Sequence, residues 1–394
     1  MDKDKIDFDT IVNRKNTNSI KYDFTAERNM PEDILPLWVA DMDFKAPKEV
    51  IDAIIKRVEH GIFGYSEAKD EYFQALRGWM EEKHNWQIEK EWVVKTPGVV
   101  FAIAMAVQAF TSPGDSVMIQ QPVYYPFKSV IEDNGRNVVD NTLVLNDAGK
   151  YEMDLEDFER KVVEHQVKLF LLCSPHNPVG RVWTEEELIR LGDICVKHDV
   201  IVVSDEIHQD FVYTGRHHVF ADINESFRER TITCTAPSKT FNLAGLQVSN
   251  IMIANPKLRK KFINQINAAG YSQLNVLGLT ACEAAYRHGS RWHEQLIGYL
   301  KGNLIYLKEF LIEHLPQIKL IEPEGTYLVW LDFRGLNMTE SQLEDLIVHK
   351  AGLWLDNGTM FGKAGEGFQR INITCQRSTL EKAMIQLRNA IKQI

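Results

Sequence analysis

The sequence has little of what marks secreted, membrane-spanning or nucleic-acid-binding chains. Its 394 residues hold five cysteines, Cys173, Cys195, Cys234, Cys282 and Cys375, and no two form a CxxC pair. Spacing this wide excludes a disulfide framework or cysteine zinc site and predicts reduced thiols, three of them inside candidate strands. No apolar run follows Met-Asp-Lys-Asp-Lys, so no signal peptide is expected. The longest apolar stretch, 99–110, is too short to span a bilayer. Positive charge is in deficit. Against 55 Asp and Glu stand 45 Lys and Arg, a net charge of −10 that gives no basic footprint for nucleic acid or an anionic membrane. Repeats, low-complexity tracts and Pro/Gly-rich linkers are also missing. These absences predict a soluble, cytoplasmic chain, long enough for two domains.

What is present is strand–helix alternation. Segments 116–120, 169–173, 200–204, 231–235 and 250–254 are nearly continuous in Val, Ile, Leu and Met, as strands covered on both faces must be. Between them, 184–198 predicts a helix with Thr184 as N-cap and Glu187 completing a capping box. The alternation implies an α/β fold with a mostly parallel sheet covered by helices. Before it, 1–48 is polar and irregular, with an extended 35–40. After it come a long helix pattern from Ser290, an alternating strand at 326–333, a helix at 341–351, a strand at 370–374 and a last helix. The expected division is a large domain, 49–288, and a smaller α+β domain built from 1–48 and 289–394.

Ligands of open parallel sheets bind beyond the carboxyl ends of the strands, so the residues following each strand carry the functional signal. They are Pro122-Val123-Tyr124-Tyr125, Ser174-Pro175-His176-Asn177-Pro178, Ser204-Asp205-Glu206-Ile207-His208 and Ala236-Pro237-Ser238-Lys239-Thr240. A lysine after a strand is usually a solvated surface charge. Lys239, however, is set among small and apolar residues, where desolvation lowers an amine's pKa and suits it to Schiff-base chemistry. Asp205 reads either as a helix N-cap or as a carboxylate that keeps a ring nitrogen protonated. His208 reads as a satisfied histidine or as a partner of Asp205 or of a ring oxygen. Asn177, between two prolines, is a turn former or a fixed amide aimed at that oxygen. Tyr124 is packing or a stacking face with a hydroxyl for proton traffic. Gly98, Val99 and Val100 open the helix 101–110, whose N-terminus suits a phosphate, and Ser238 offers a hydroxyl.

Two other patterns are set aside. Gly362-Lys-Ala-Gly365-Glu-Gly367 precedes a strand rather than following one, which fails the context of a dinucleotide loop. The group Asp205, Glu206, His208, Asp210, His217 and His218 lacks the helical spacing of a zinc site, so no metal is expected.

Taken together, Tyr65, Gly98, Tyr124, Asn177, Asp205, Lys239 and Arg370 resemble, in order and over nearly the whole chain, the pattern of fold-type I pyridoxal-phosphate (PLP) enzymes of the class I/II aminotransferase superfamily. Leu37-Trp38-Val39-Ala40-Asp41-Met42-Asp43-Phe44, Phe63-Gly64-Tyr65, Ser204–His208 and Ser238-Lys239-Thr240-Phe241-Asn242 resemble its MalY/PatB-type cystathionine β-lyase (C–S lyase) branch.

The resemblance implies an aspartate-aminotransferase-like fold with a seven-stranded-type sheet, and PLP as cofactor. By the same resemblance, Lys239 carries PLP and removes the substrate Cα proton, while Asp205 pairs the ring nitrogen. Asn177 and His208 contact the ring oxygen, and Tyr124 stacks on the ring. Gly98, Val99, Val100 and Ser238 hold the phosphate, joined by Tyr65 from the second subunit of a homodimer. Arg370 clamps the substrate α-carboxylate, and Trp38, Val39 and Ala40 line the pocket. Ala236 and Gln247 depart from the superfamily, where a hydroxyl residue and an arginine are frequent, which leaves the phosphate to neutral donors. The implied reaction is β-elimination from cysteine S-conjugates such as cystathionine, with transamination the alternative that no motif separates. A non-catalytic PLP-binding regulator is a further alternative, against which the intact set Lys239, Asp205 and Arg370 argues.

Overall fold

The computed structural model describes residues 5–393. Residues 1–4 and 394, at the outer ends of the expected small domain and the expected signal-free start, lie outside it. A seven-stranded sheet runs, edge to edge, Val93–Thr96, Ser249–Met252, Thr231–Thr235, Ile201–Asp205, Leu169–Cys173, Ser116–Ile119 and Asn137–Asp140. The pairs from Thr231–Thr235 to Asn137–Asp140 are parallel. Leu169–Cys173 is buried at every residue, as its unbroken apolar character requires. Thr231–Thr235 is equally buried although it alternates threonine with Ile232 and Cys234, and the Thr231 and Thr235 hydroxyls donate to the Phe227 and Asn250 carbonyls. The helix Glu185–Lys197 forms with the expected capping box, Thr184 Oγ1 accepting from the Glu187 backbone and the Glu187 carboxylate from the Thr184 N–H.

Some expectations need correction. The strand expected at 250–254 is Ser249–Met252 and runs antiparallel to both neighbours. Residues 236–248 hold only two short helical turns, Pro237–Thr240 and Ala244–Leu246, too little for the crossover that a parallel strand needs. Leu328–Asp332 is not half-exposed, as its alternation suggested, but buried throughout. One side packs into the largest apolar cluster, while Trp330 stacks on Phe368 in a second cluster shared with Val179 and Trp183. The expected helix 341–351 is α-helical only over Glu340–Glu344, then continues as π-helical turns over Asp345–Lys350. All five cysteines are buried and free, but two rather than three lie in strands, Cys195 and Cys282 being helical.

The C-terminal part forms a four-stranded antiparallel sheet ordered Lys319–Leu320, Leu328–Asp332, Phe368–Asn372, Asp356–Asn357. The N-terminal segment contributes Leu35–Pro36, paired parallel with Leu353–Trp354. One apolar cluster joins Leu37, Tyr72, Trp79, Phe241, Leu328 and Leu387, so residues of all three regions share a core. Among the described residues no helix is long and apolar enough to cross a membrane.

Candidate active site

Four parallel strands release their chains toward one cavity of about 260 Å³. Its walls include Ala40, Gly98, Val99, Val100, Tyr124, Asn177, Asp205, His208, Ser238 and Lys239, ten of the fourteen residues singled out in the sequence. Topology brings them together. All but Ala40, which comes from the N-terminal segment, follow a strand or open a helix on the carboxyl edge of the sheet, where backbone groups are free to meet a ligand.

Lys239 sits in the turn Pro237–Thr240, and the turn is anchored by its neighbour. Thr240 Oγ1 donates to Asp210 at 2.5 Å, and Asp210 also takes Trp79 Nε1 at 3.0 Å and His84 Nε2 at 2.8 Å. Burial works against the Asp210 charge, but the His84 contact and the other donors overcome it and hold the carboxyl at about 2. Lys239 Nζ donates to the Ala40 carbonyl at 2.7 Å, an oxygen shared with Tyr327 OH at 3.0 Å. Burial, then the charge of Arg370, lowers this amine to about 8.

Asp205 ends its strand at 5% exposure with one hydrogen bond, from the Ile207 N–H at 3.2 Å. That contact closes a local turn and is not the helix N-cap that the sequence left open, since only turns follow at 207–210. It does not balance the charge: burial raises the carboxyl to about 7, against the backbone bond and Lys239. His208 makes no hydrogen bond with Asp205. Its Nδ1 is buried without a partner among the described residues, its ring lies 5.6 Å from that of Tyr327, and burial, with the charges of Lys239 and Arg370, pushes its pKa well below the ordinary histidine value. Burial also raises the Tyr124 phenol, and the nearby Tyr125 and Asp205 add to the shift.

Gly98 adopts φ +150°, a region that L side chains rarely enter, and turns the chain into the helix Val99–Phe110. No side chain caps that helix, so its first N–H groups face the cavity's end. Gln247 lines the same end in the left-handed conformation, φ +51°, and brings no charge to it.

Four of the fourteen do not line the cavity. Trp38 stacks on Trp354 at 4.4 Å, and it and Val39 contribute backbone carbonyls, to Arg370 Nη2 and Asn372 Nδ2. Tyr65 is 98% exposed, so the turn 63–66 is not anchored to its own chain. Arg370 is placed behind the wall, with Nη1 donating to Asn177 Oδ1 at 2.9 Å and Nη2 to Asp356.

Sequence reading missed Asp356, Asp210 and the clasp around residues 38–44. In that clasp Asn242 bonds to Met42 and Phe44, Asn372 to Val39 and Asp41, and Arg14 to Asp41 and Asp43. Within the group set aside as a metal cluster, Glu206 pairs with His217 at 2.8 Å, while Asp210 is held by Thr240, Trp79 and His84.

A family model described as aminotransferase class I and II matches residues 32–387. The chain is 43% identical over 387 residues to cystathionine beta-lyase PatB of Bacillus subtilis (strain 168), covering 98% of this chain and 100% of that one. It is 35% identical to protein MalY of Escherichia coli (strain K12), covering 98% and 99%. Among solved structures, cystalysin from Treponema denticola, which contains a pyridoxal 5'-phosphate cofactor, superposes with a TM-score of 0.95 at 40% identity, covering 98% of this chain and 99% of that one. With a family model over most of its length and relatives this similar end to end, the chain belongs to the class I and II aminotransferase family.

Proposed function

We propose that this chain is a PLP-dependent carbon–sulfur lyase that splits cysteine S-conjugates such as cystathionine into a thiol, pyruvate and ammonia. The observation that carries the cofactor assignment is Asp205. A carboxylate this buried, with one backbone donor and no ion pair among the described residues, needs a cationic partner, and a protonated ring nitrogen is one. The unpartnered Nδ1 of His208 and the uncapped helix after Gly98 fit the remaining polar groups of such a cofactor. The PatB and cystalysin likenesses support elimination over transamination.

When bound, PLP supplies an aldehyde for amine condensation and a cationic ring that withdraws electrons from the substrate Cα. Lys239 holds it and, once freed by the incoming amino group, takes the proton from Cα, a task suited to an amine lowered to about 8. Asp205 keeps the ring nitrogen protonated. Asn177 and His208 would contact its phenolic oxygen, Tyr124 would stack on the ring, and Gly98, Val99, Val100 and Ser238 would hold the phosphate. Arg370 holds the α-carboxylate. Loss of the Cα proton and of the Cβ thiolate, then addition of water, yields pyruvate and ammonia. Five buried, free cysteines fit a reducing cytoplasm. The deciding assay is purified protein with cystathionine and no added keto acid. Pyruvate and thiol in equal amounts are expected; turnover that requires a keto acid would identify an aminotransferase instead.

The exposed turn at Tyr65, with Ile62 and Phe63 also exposed, supports a homodimer in which Tyr65 reaches the partner's phosphate. Tyr65→Phe is expected to weaken PLP retention by about 0.5–3 kcal/mol. Mixing it with Lys239→Ala should restore activity, since each heterodimer keeps one intact site. A fully active monomer in sedimentation would overturn the shared site.

A further inference from the structure

Arg370 and Asp356 stand directly opposite one another on adjacent antiparallel strands. Cross-strand partners on one face are held within reach by the backbone itself. Each side chain is 4% exposed, and they form an ion pair through Nη2. The rest of the guanidinium is also fixed. Nη1 donates to Asn177 Oδ1 at 2.9 Å, Nη2 also to the Trp38 carbonyl at 3.1 Å, and the Phe361 ring lies 4.8 Å from the carbon centre. Nε has no partner among the described residues.

A buried ion pair is weak evidence for stability, because both charges lose their hydration. Here it sits on the one group read as a carboxylate clamp. Charge is scarce elsewhere in the site. Among the described residues lining the cavity, Lys239 is the one lysine or arginine, and Gln247 is neutral. Asp41, whose charge also acts on Lys239, is matched by Arg14 at 2.5 Å. The negative charge of Asp356 reaches both Tyr124 and Tyr125, on the aromatic side of the cavity. This chain therefore offers one carboxylate-binding cation, already partly balanced, and none to spare for a second carboxylate.

We propose that Asp356 is a positioning and specificity-determining residue, which orients the Arg370 fork for the α-carboxylate and confines the site to amino acids carrying no net negative charge beyond Cβ. The inference rests on Arg370 being the α-carboxylate clamp. S-conjugates with neutral or zwitterionic leaving groups are accepted on this account. Those with an anionic group meet Asp356 without a compensating cation, the repulsive element by which a site rejects a near-isostere.

The test compares S-carbamoylmethyl-L-cysteine with S-carboxymethyl-L-cysteine, equal in shape and different by one charge, by pyruvate release from the holoenzyme. The parent protein should favour the amide in kcat/KM by about tenfold or more. Asp356→Asn, which keeps an oxygen for Nη2 but removes the charge, should cut that preference about tenfold, chiefly through KM for the acid, with the cofactor absorbance unchanged. Asp356→Glu, restoring the charge, should restore the preference. Arg370→Lys should raise KM for both compounds, with a roughly 10- to 150-fold loss of kcat/KM. An unchanged KM in Arg370→Lys would overturn the clamp itself. A raised KM there, combined with an unaltered preference in Asp356→Asn, would overturn the role of Asp356 alone. The parent ratio needs no variant: equal turnover of the two compounds by the unmodified enzyme also overturns the proposal.

Discussion

Lys239→Ala is expected to lower kcat by at least about a thousandfold while the protein still folds, because one side chain is both the cofactor's anchor and the Cα base. The loss should not come from unfolding. The Ala40 carbonyl that accepts from Lys239 Nζ keeps Tyr327 OH as a second donor at 3.0 Å, so removing the amine strands no buried acceptor. The turn itself is held through Thr240 and Asp210, not through the lysine. Pyruvate release and a melting curve measured together separate the two explanations. Borohydride treatment should place the pyridoxyl phosphate mass on the Lys239 peptide of the parent and nowhere on the variant. The parent makes a companion prediction. Burial lowers the amine to about 8, so the rate at which cofactor-free protein takes up PLP should rise as pH rises through about 8 and then level off. A rate still climbing toward pH 10 would mean an ordinary lysine, and label on another lysine would displace Lys239 from the role.

The legible part of the site was the part that follows strands. Buried strands end at Cys173, Asp205 and Thr235, and the chemistry-bearing residues come within a few positions of each end, so local sequence and sheet topology make the same statement. The helix Glu185–Lys197 was legible for the same reason, its cap being a relation between residues three apart. What stayed hidden depends on pairing between distant segments. Asp356 meets Arg370 only because their strands pair antiparallel in one register, and a shift of a single residue would turn the carboxylate to the other face. The Asn242 and Asn372 clasps join positions some 200 and 330 residues apart. Nothing in composition or period records such contacts. The reversed strand Ser249–Met252 was missed through counting apolar residues without weighing the short connection before them. Trp38 and Val39 show the limit of resemblance as well: neither lines the cavity, their backbone oxygens being taken by Arg370 and Asn372 while the Trp38 ring stacks on Trp354.

Asp205→Asn should move stability and activity in opposite directions. In the cofactor-free protein the Asp205 carboxyl sits at about 7 rather than 3.8, because burial disfavours its charge. Between those pH values the folded chain binds a proton that the unfolded chain has released. The folded state therefore loses stability as pH rises through this window, and the loss is complete above about 7. Three pH units correspond to on the order of 4 kcal/mol. An asparagine has no proton to lose. At pH 8 the cofactor-free variant should melt several degrees above the cofactor-free parent, and at pH 4, where the parent carboxyl is protonated, the two should nearly coincide. Other buried acids titrate in both proteins and cancel in the comparison. With PLP bound the order reverses, since the carboxylate then has the cationic partner that its burial demands and the amide cannot hold the ring nitrogen's proton. The drop in kcat should be about a hundredfold or more, the scale of losing a preorganised electrostatic partner. Melting curves of both proteins with and without PLP, beside pyruvate release, test the two halves separately. An equal or lower melting temperature for the empty variant at pH 8 would show that the chain already neutralises Asp205. An undiminished kcat would remove it from the ring nitrogen.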